Sequence, residues 1–145
     1  MANDFNKTDY ISASYSDLSG LNRPNILAPD VYKLKNISTA DFEKDFQINV
    51  LGAVRVIQAL LPALKQSATS SIVLFSTVAV QTGMGFHASI ASSKGAIEGL
   101  TRSLAAELAA NKIRVNAIAP SLTQTPLAGA LLNSPEKIEA GGKRH

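Results

Sequence analysis

The chain has 145 residues, of which 46% are hydrophobic and 17% charged, and a formal net charge of +3. This size and balance predict one globular domain with a packed core, and they exclude two independent domains or a disordered chain. The lack of cysteine excludes disulfides and thiolate metal sites, and two histidines are too few for a typical zinc site. Basic residues are scattered singly, so we expect no nucleic-acid partner and no metal.

The amino-terminal part is polar and rich in turn residues. Its opening, "MANDFNKTDY", lacks the apolar core of a signal peptide, and no run of about 18 apolar residues follows. We therefore expect a cytoplasmic protein with no membrane partner. Short strands are possible at "YISAS" and "NILA", within residues 1–37.

A long helix is predicted from Ser38 to Lys65, because apolar residues recur there at steps of three and four. Ser38 and Asp41 have the spacing of a helix-capping pair. Pro62 is expected to loosen the last turns of this helix.

Two strands and a second helix follow. The apolar run "SSIVLFSTVAV" predicts a strand buried on both faces of a parallel sheet; a buried helical turn is the alternative, disfavoured by the β-branched residues. A helix is predicted over residues 89–111, with Glu98 and Arg102 spaced as an ion pair. "KIRVNAIAP" predicts the next strand, which Pro120 ends. Near the carboxyl end, Ser134 is expected to cap a helix that begins at Pro135.

This alternation of helices and strands predicts an α/β fold with a parallel sheet. Such sheets place binding residues just beyond the carboxyl ends of their strands. The candidate segments are therefore "STVAVQTG" and "APSLTQTPLAG".

The segments "INVLGAV", "SSIVLFSTVAV" and "ASSKGAIEGLTRSLAAELAANKIRVNAIAPSLTQTP" together resemble the short-chain dehydrogenase/reductase family, across residues 38–140. The resemblance implies a doubly wound, Rossmann-like sheet in a single partial domain over residues 1–145, incomplete at both ends. It also implies hydride transfer between NAD or NADP and a small carbonyl or alcohol substrate. Paired long helices would form a homodimer or homotetramer.

The resemblance assigns roles to individual residues. The catalytic positions fall on Asn49, Ser76, Thr77, Ile90 and Lys94, with Thr77 thirteen residues before Ile90. The cofactor contacts fall on Lys94, Pro120, Leu122 and Thr125. Each polar side chain also has a structural interpretation: hydroxyls at a strand end and a helical amide can bond to the backbone, and a helical lysine can be solvated.

Ile90 stands where the family has a tyrosine that gives and takes a proton. An isoleucine cannot do this, and general acid–base help contributes about 10²–10⁴-fold to rate. Ser89 and Ser92 flank the position, and His87 lies three residues before it. Ser92 and Ser93 are expected to point elsewhere on the helix, so His87, whose imidazole exchanges protons near neutral pH, is the better substitute. The resemblance thus implies an impaired or atypical oxidoreductase, with a catalytically silent binding or scaffold subunit as the alternative.

Two further departures concern the cofactor. No Gly-x-x-x-Gly-x-Gly turn, which would bind the pyrophosphate, occurs in the sequence. Where the family has Pro-Gly, this chain has Pro120-Ser121. Asp17 resembles an adenine neighbour at the end of a strand, and the segment after Thr125 is expected to select the substrate.

Overall fold

The computed structural model describes residues 34–125, 128–129 and 132–142. The predicted strands at "YISAS" and "NILA", and Asp17, lie outside the described residues. In chain order the regular elements are α1 (Thr39–Phe46), a π-helical turn (Gln47–Leu51), α2 (Gly52–Gln66), β1 (Ser70–Phe75), α3 (Ala79–Thr82), α4 (Ala88–Leu108), β2 (Ile113–Ile118) and α5 (Pro135–Gly142). Short 3₁₀ turns at Leu34–Asn36 and Ala109–Asn111 complete the described part.

α1, the π-helical turn and α2 form the predicted long helix. Ser38 caps it: the Asp41 main-chain N–H donates to Ser38 Oγ at 3.2 Å, and the Ser38 N–H donates to Asp41 Oδ2 at 2.9 Å. The helix continues through Pro62 and ends at Gln66. Only its middle departs from α-helical geometry, at Gln47–Leu51.

Three large apolar side chains of this long helix are exposed. Phe46, Val56 and Leu60 are 42%, 53% and 39% exposed. By length and composition alone Thr39–Gln66 could cross a bilayer, since an 18-residue window has a mean hydropathy of 1.4 and only 11% of that window is buried. This is weak evidence, because core helices of other proteins share the property.

β1 and β2 pair in parallel, as predicted, in register from Ser70 opposite Ile113 to Phe75 opposite Ile118. β1 is shorter than the apolar run suggested. It ends at Phe75, and Ala79–Thr82 forms a single helical turn instead of more strand. The residues between them are therefore free to form the edge of a site.

The prediction that β1 is buried on both faces is wrong for the described residues. Ile72 and Leu74 are each 8% exposed and pack with Ile97 of α4, whereas Val73 and Phe75 are 48% and 57% exposed. On the same open face Ile118 of β2 is 50% exposed. In the described part, the helices cover only one face of the sheet, so burial alternates along β1 and at the start of β2, whose last three residues are exposed.

α4 is the central helix. It packs on both strands and on α1. It covers the predicted range of residues 89–111 except for the last three residues, which form a 3₁₀ turn. The predicted cap of α5 is confirmed, since the Lys137 N–H donates to Ser134 Oγ at 3.4 Å and the helix begins at Pro135.

Candidate active site

The segments that follow β1 and β2 are joined at the carboxyl end of the sheet. The Ser76 N–H donates to the Ile118 carbonyl at 2.7 Å, and the Val78 N–H donates to the Pro120 carbonyl at 3.2 Å. The parallel pairing thus extends beyond both strands and holds Thr77 beside Pro120. This is the edge at which α/β sheets bind ligands.

Lys94 reaches this edge from α4. Its ammonium Nζ donates to the Phe75 carbonyl, the last of β1, at 2.8 Å, and the side chain is half-buried. A solvated lysine would project away from the sheet. The structure therefore places the Lys94 ammonium at the end of β1, where the segment with Ser76 and Thr77 begins.

Ser76 and Thr77 have different surroundings. Ser76 is 4% exposed, and its hydroxyl donates to Glu98 Oε1 at 2.6 Å. Thr77 is half-buried, and its Oγ1 accepts from the Ala79 N–H at 3.3 Å, which leaves its proton for a ligand. The Ser76 hydroxyl is thus buried and bonded to Glu98, and Thr77 carries the hydroxyl suited to contact a substrate.

Ile90 lies in the first turn of α4, half-buried. His87 precedes the helix, and its Nδ1 is 2.6 Å from the Gly85 carbonyl. That contact fits a proton on Nδ1, which would leave Nε2 as the acceptor. The preceding Phe86 has a φ of 65°, so the loop that presents His87 is held in an uncommon backbone conformation.

Asn49 lies inside the π-helical turn, half-buried. Its Nδ2 donates to the Asp45 carbonyl at 2.8 Å. The Asp45 carboxylate in turn accepts from the Ser89 hydroxyl at 2.7 Å. Asn49 is therefore connected, through Asp45, to the residue next to Ile90.

The cofactor candidates after β2 divide into two groups. Pro120 belongs to the sheet edge through its carbonyl. Leu122 is 37% exposed, and Thr125 Oγ1 accepts from the Ala128 N–H at 3.3 Å, within its own segment. The structure brings Pro120 to Thr77.

The sequence analysis did not predict that Glu98, Asp45 and Ser89 bond to residues of the site. Glu98 was paired with Arg102 by spacing, whereas its carboxylate accepts from Ser76. A usable signal existed, since Glu98 is one helical turn after Lys94 and Asp45 one turn before Asn49. Their partners on other elements could not be read from helical spacing.

A shallow cavity of about 310 Å³ lies at the opposite, amino end of the strands. It is lined by Ala68, Thr69, Ser70, Ser71, Lys112 and Arg114. None of the candidate residues borders it. We assign the site to the carboxyl end, where the hydrogen-bonded side chains converge.

Comparison with known proteins decides the family. A sequence profile described as enoyl-(acyl carrier protein) reductase matches residues 22–145. The chain belongs to the short-chain dehydrogenase/reductase family. Among curated members of this family, xanthoxin dehydrogenase of Arabidopsis thaliana is 35% identical over 139 residues, which are 92% of this chain and 47% of the relative. L-xylulose reductase of Bos taurus is 35% identical over 100 residues, 68% of this chain and 41% of the relative.

Solved structures of short-chain dehydrogenases/reductases share the fold. The Pseudomonas aeruginosa RhlG/NADP active-site complex superposes with a TM-score of 0.67 at 33% identity, covering 74% of this chain and 44% of that one. ElxO, as a tyrosine-to-phenylalanine variant with NADPH bound, gives a TM-score of 0.65 at 29% identity, covering 72% and 42%. The chain spans about half the length of the relatives it matches. The described α/β part, with its parallel strands, thus corresponds to part of the doubly wound, Rossmann-like fold of these structures.

Proposed function

We propose that this short-chain dehydrogenase/reductase transfers hydride between NAD or NADP and a small carbonyl or alcohol. The carrying observation is the Lys94 ammonium, 2.8 Å from the last carbonyl of β1 and beside Thr77. Relatives named as reductases and dehydrogenases, one of them complexed with NADP, support this assignment. Which of the two coenzymes is used, and which substrate, are left to experiment.

The residues at the sheet edge fit the nicotinamide end of such a coenzyme. Lys94 supplies a positive donor for ribose hydroxyls, and Thr77 supplies a hydroxyl that can polarise a substrate oxygen. The bound coenzyme would supply the hydride. No glycine-rich turn that would bind its pyrophosphate occurs in these 145 residues.

Proton transfer needs a group other than Ile90. His87 is the side chain in the described part that we propose for this role, because its Gly85 contact fixes the ring and leaves Nε2 to exchange a proton. NADPH remains bound in ElxO after a tyrosine has been replaced by phenylalanine. Loss of a tyrosine hydroxyl is therefore compatible with coenzyme binding in a relative.

The test is titration of the purified chain with NADH and NADPH, by fluorescence or calorimetry, followed by turnover with a panel of carbonyl compounds. Saturable binding with slow turnover is the expected result. Failure to bind either coenzyme would contradict the proposal.

Ile90 favours a second candidate function, a catalytically silent binding or scaffold subunit. An aliphatic side chain at the proton-donor position removes chemistry and leaves packing intact. Coenzyme binding without any turnover in the same titration would support this candidate over the first.

We also propose that the chain self-associates through its long helix, as a homodimer or homotetramer in the cytoplasm, without nucleic-acid or membrane partners. The support is the exposure of three large apolar side chains, Phe46, Val56 and Leu60, because exposed apolar patches mark association surfaces. Light scattering after size-exclusion chromatography measures the assembly directly.

A further inference from the structure

A buried polar contact joins α1 to the start of α4. Ser89 is 7% exposed, and its hydroxyl donates to Asp45 Oδ2 at 2.7 Å. The Asp41 carbonyl oxygen lies 3.4 Å from the Ser89 Oγ. A hydroxyl bonded to a carboxylate is among the stronger neutral-to-charged contacts in proteins. Nothing in the reaction proposed above uses either side chain, so this contact calls for another role.

Asp45 is also the residue that holds the Asn49 amide. In a regular α-helix the Asp45 carbonyl would accept from the Asn49 main-chain N–H. Asp45 is in the last turn of α1, and Asn49 is in the π-helical turn that follows, where the Gly52 N–H donates to the Gln47 carbonyl. The Asn49 side-chain Nδ2 also donates to the Asp45 carbonyl, at 2.8 Å. The position of the amide therefore depends on where the Asp45 peptide sits.

The Ser89 contact fixes that peptide relative to α4. Ser89 immediately precedes Ile90 and lies five residues before Lys94 on the same helix. Its bond to the Asp45 carboxylate sets the register between the π-helical turn and the helix that carries Lys94. A π-helical turn is a local departure that other contacts must stabilise, and such turns occur frequently at functional sites.

We propose that Asp45 and Ser89 are positioning residues that hold the Asn49 amide at the candidate active site. The proposal rests on the function proposed above only for the use made of Asn49. The arrangement itself is a property of this chain's hydrogen bonds: Ser89 hydroxyl to Asp45 carboxylate, and Asn49 amide to Asp45 carbonyl.

The test uses side-chain amide signals of the ¹⁵N-labelled full chain. The Asn49 NH₂ pair is assigned by its absence in Asn49→Ser. In Ser89→Ala and in Asp45→Asn, we expect these protons to shift and to exchange with water about tenfold faster, the fold-change expected for loss of roughly one hydrogen bond. Ser89→Thr retains the hydroxyl and should restore slow exchange.

The matched control is Ser92→Ala. Ser92 is exposed on the same helix, and its hydroxyl bonds only to the Ala88 carbonyl one turn earlier among the described residues. This variant should leave the Asn49 signals in place. A shift of equal size in Ser92→Ala would overturn the proposal.

A merely structural tether would give a different result. It would lower the melting temperature of Ser89→Ala while leaving the Asn49 amide unchanged, and that outcome contradicts positioning. Should Ser89→Ala fail to fold, Asp45→Asn, which keeps the side-chain shape, decides by the same readout. Because no coenzyme is needed, the test also separates this proposal from the proposed function. Where turnover exists, we expect a lower kcat with unchanged coenzyme affinity.

Discussion

In the function proposed here, the aliphatic side chain of Ile90 limits the rate of proton transfer. It occupies a half-buried place in the first turn of α4, one turn before Lys94, where proton transfer would be needed. Lys94 is held by the Phe75 carbonyl and Thr77 by the Ala79 N–H, and in the proposed function they serve the ribose and the substrate oxygen. Binding and proton transfer are thus separated at the scale of single residues.

Restoring a hydroxyl at this position should raise turnover. We expect Ile90→Tyr to increase kcat by about 10²–10⁴-fold, the usual contribution of a general acid or base. The matched control is Ile90→Phe, which has the same ring without the hydroxyl and should not gain. Equal rates for the two variants would show that the defect lies elsewhere.

The ring of His87 gives a second prediction at this scale. If it exchanges the proton, His87→Gln should lower the residual turnover of the natural chain about tenfold or more. In the Ile90→Tyr background the same change should have little effect, because the tyrosine then supplies the proton. Steady-state kinetics of the single and double variants measure this coupling.

At the scale of elements, the long helix shows how capping is tied to pH. The Ser38 hydroxyl and the Ser38 main-chain N–H both donate to the Asp41 carboxylate. These two bonds, the hydroxyl's more strongly, lower the pKa of the Asp41 carboxyl below its ordinary 3.8. A carboxyl with a depressed folded pKa stabilises the fold above pH 3.8. That stabilisation is lost as the pH falls through the lower folded value.

Removing the cap should therefore matter at neutral pH and less in acid. We expect Ser38→Ala to lower the melting temperature by about 4 °C at pH 7. The difference from the natural chain should shrink below pH 3.8. Ser103→Ala, an exposed change within α4, should not lower it. A loss that is the same at pH 7 and pH 3 would contradict the role given to Asp41.

Helices and their ends were predictable because their signals are local. The three-and-four spacing, the Ser38–Asp41 pair and Ser134–Pro135 all lie within one helical turn of what they determine. The π-helical turn had no such signal, and the Ser89–Asp45 bond that we propose to position it joins residues forty-four apart in the sequence. Likewise, the spacing of Glu98 and Arg102 predicted an ion pair, whereas in the structure the Glu98 carboxylate accepts a hydrogen bond from Ser76.

At the scale of the whole molecule, two sets of large apolar side chains are exposed to solvent in the described part. One set lies on the open face of the sheet and consists of Val73, Phe75 and Ile118. The other consists of Phe46, Val56 and Leu60 of the long helix. The apolar run of β1 predicted burial on both sides, and in the described part only one side is covered. Composition could predict that these side chains avoid water, and it could not say which surface covers them.

Self-association through the long helix gives a measurable difference between two similar substitutions. Val56 and Ile138 are 53% and 52% exposed, on α2 and α5. We expect Val56→Asp to convert the dimer to a monomer in light scattering, because a carboxylate in an apolar interface is not solvated. Ile138→Asp should leave the mass unchanged. A natural chain that is already monomeric would contradict this assembly.

The central claim is that Lys94 and its neighbours at the carboxyl end of β1 bind a nicotinamide coenzyme. The most direct measurement compares NADH and NADPH affinities of the natural chain, Lys94→Met and Lys65→Met, an exposed lysine of α2. We expect Lys94→Met to weaken binding about 10- to 100-fold, as the loss of a hydrogen bond from a charged donor implies, while Lys65→Met binds as the natural chain does. Equal affinities for the natural chain and Lys94→Met would contradict the account.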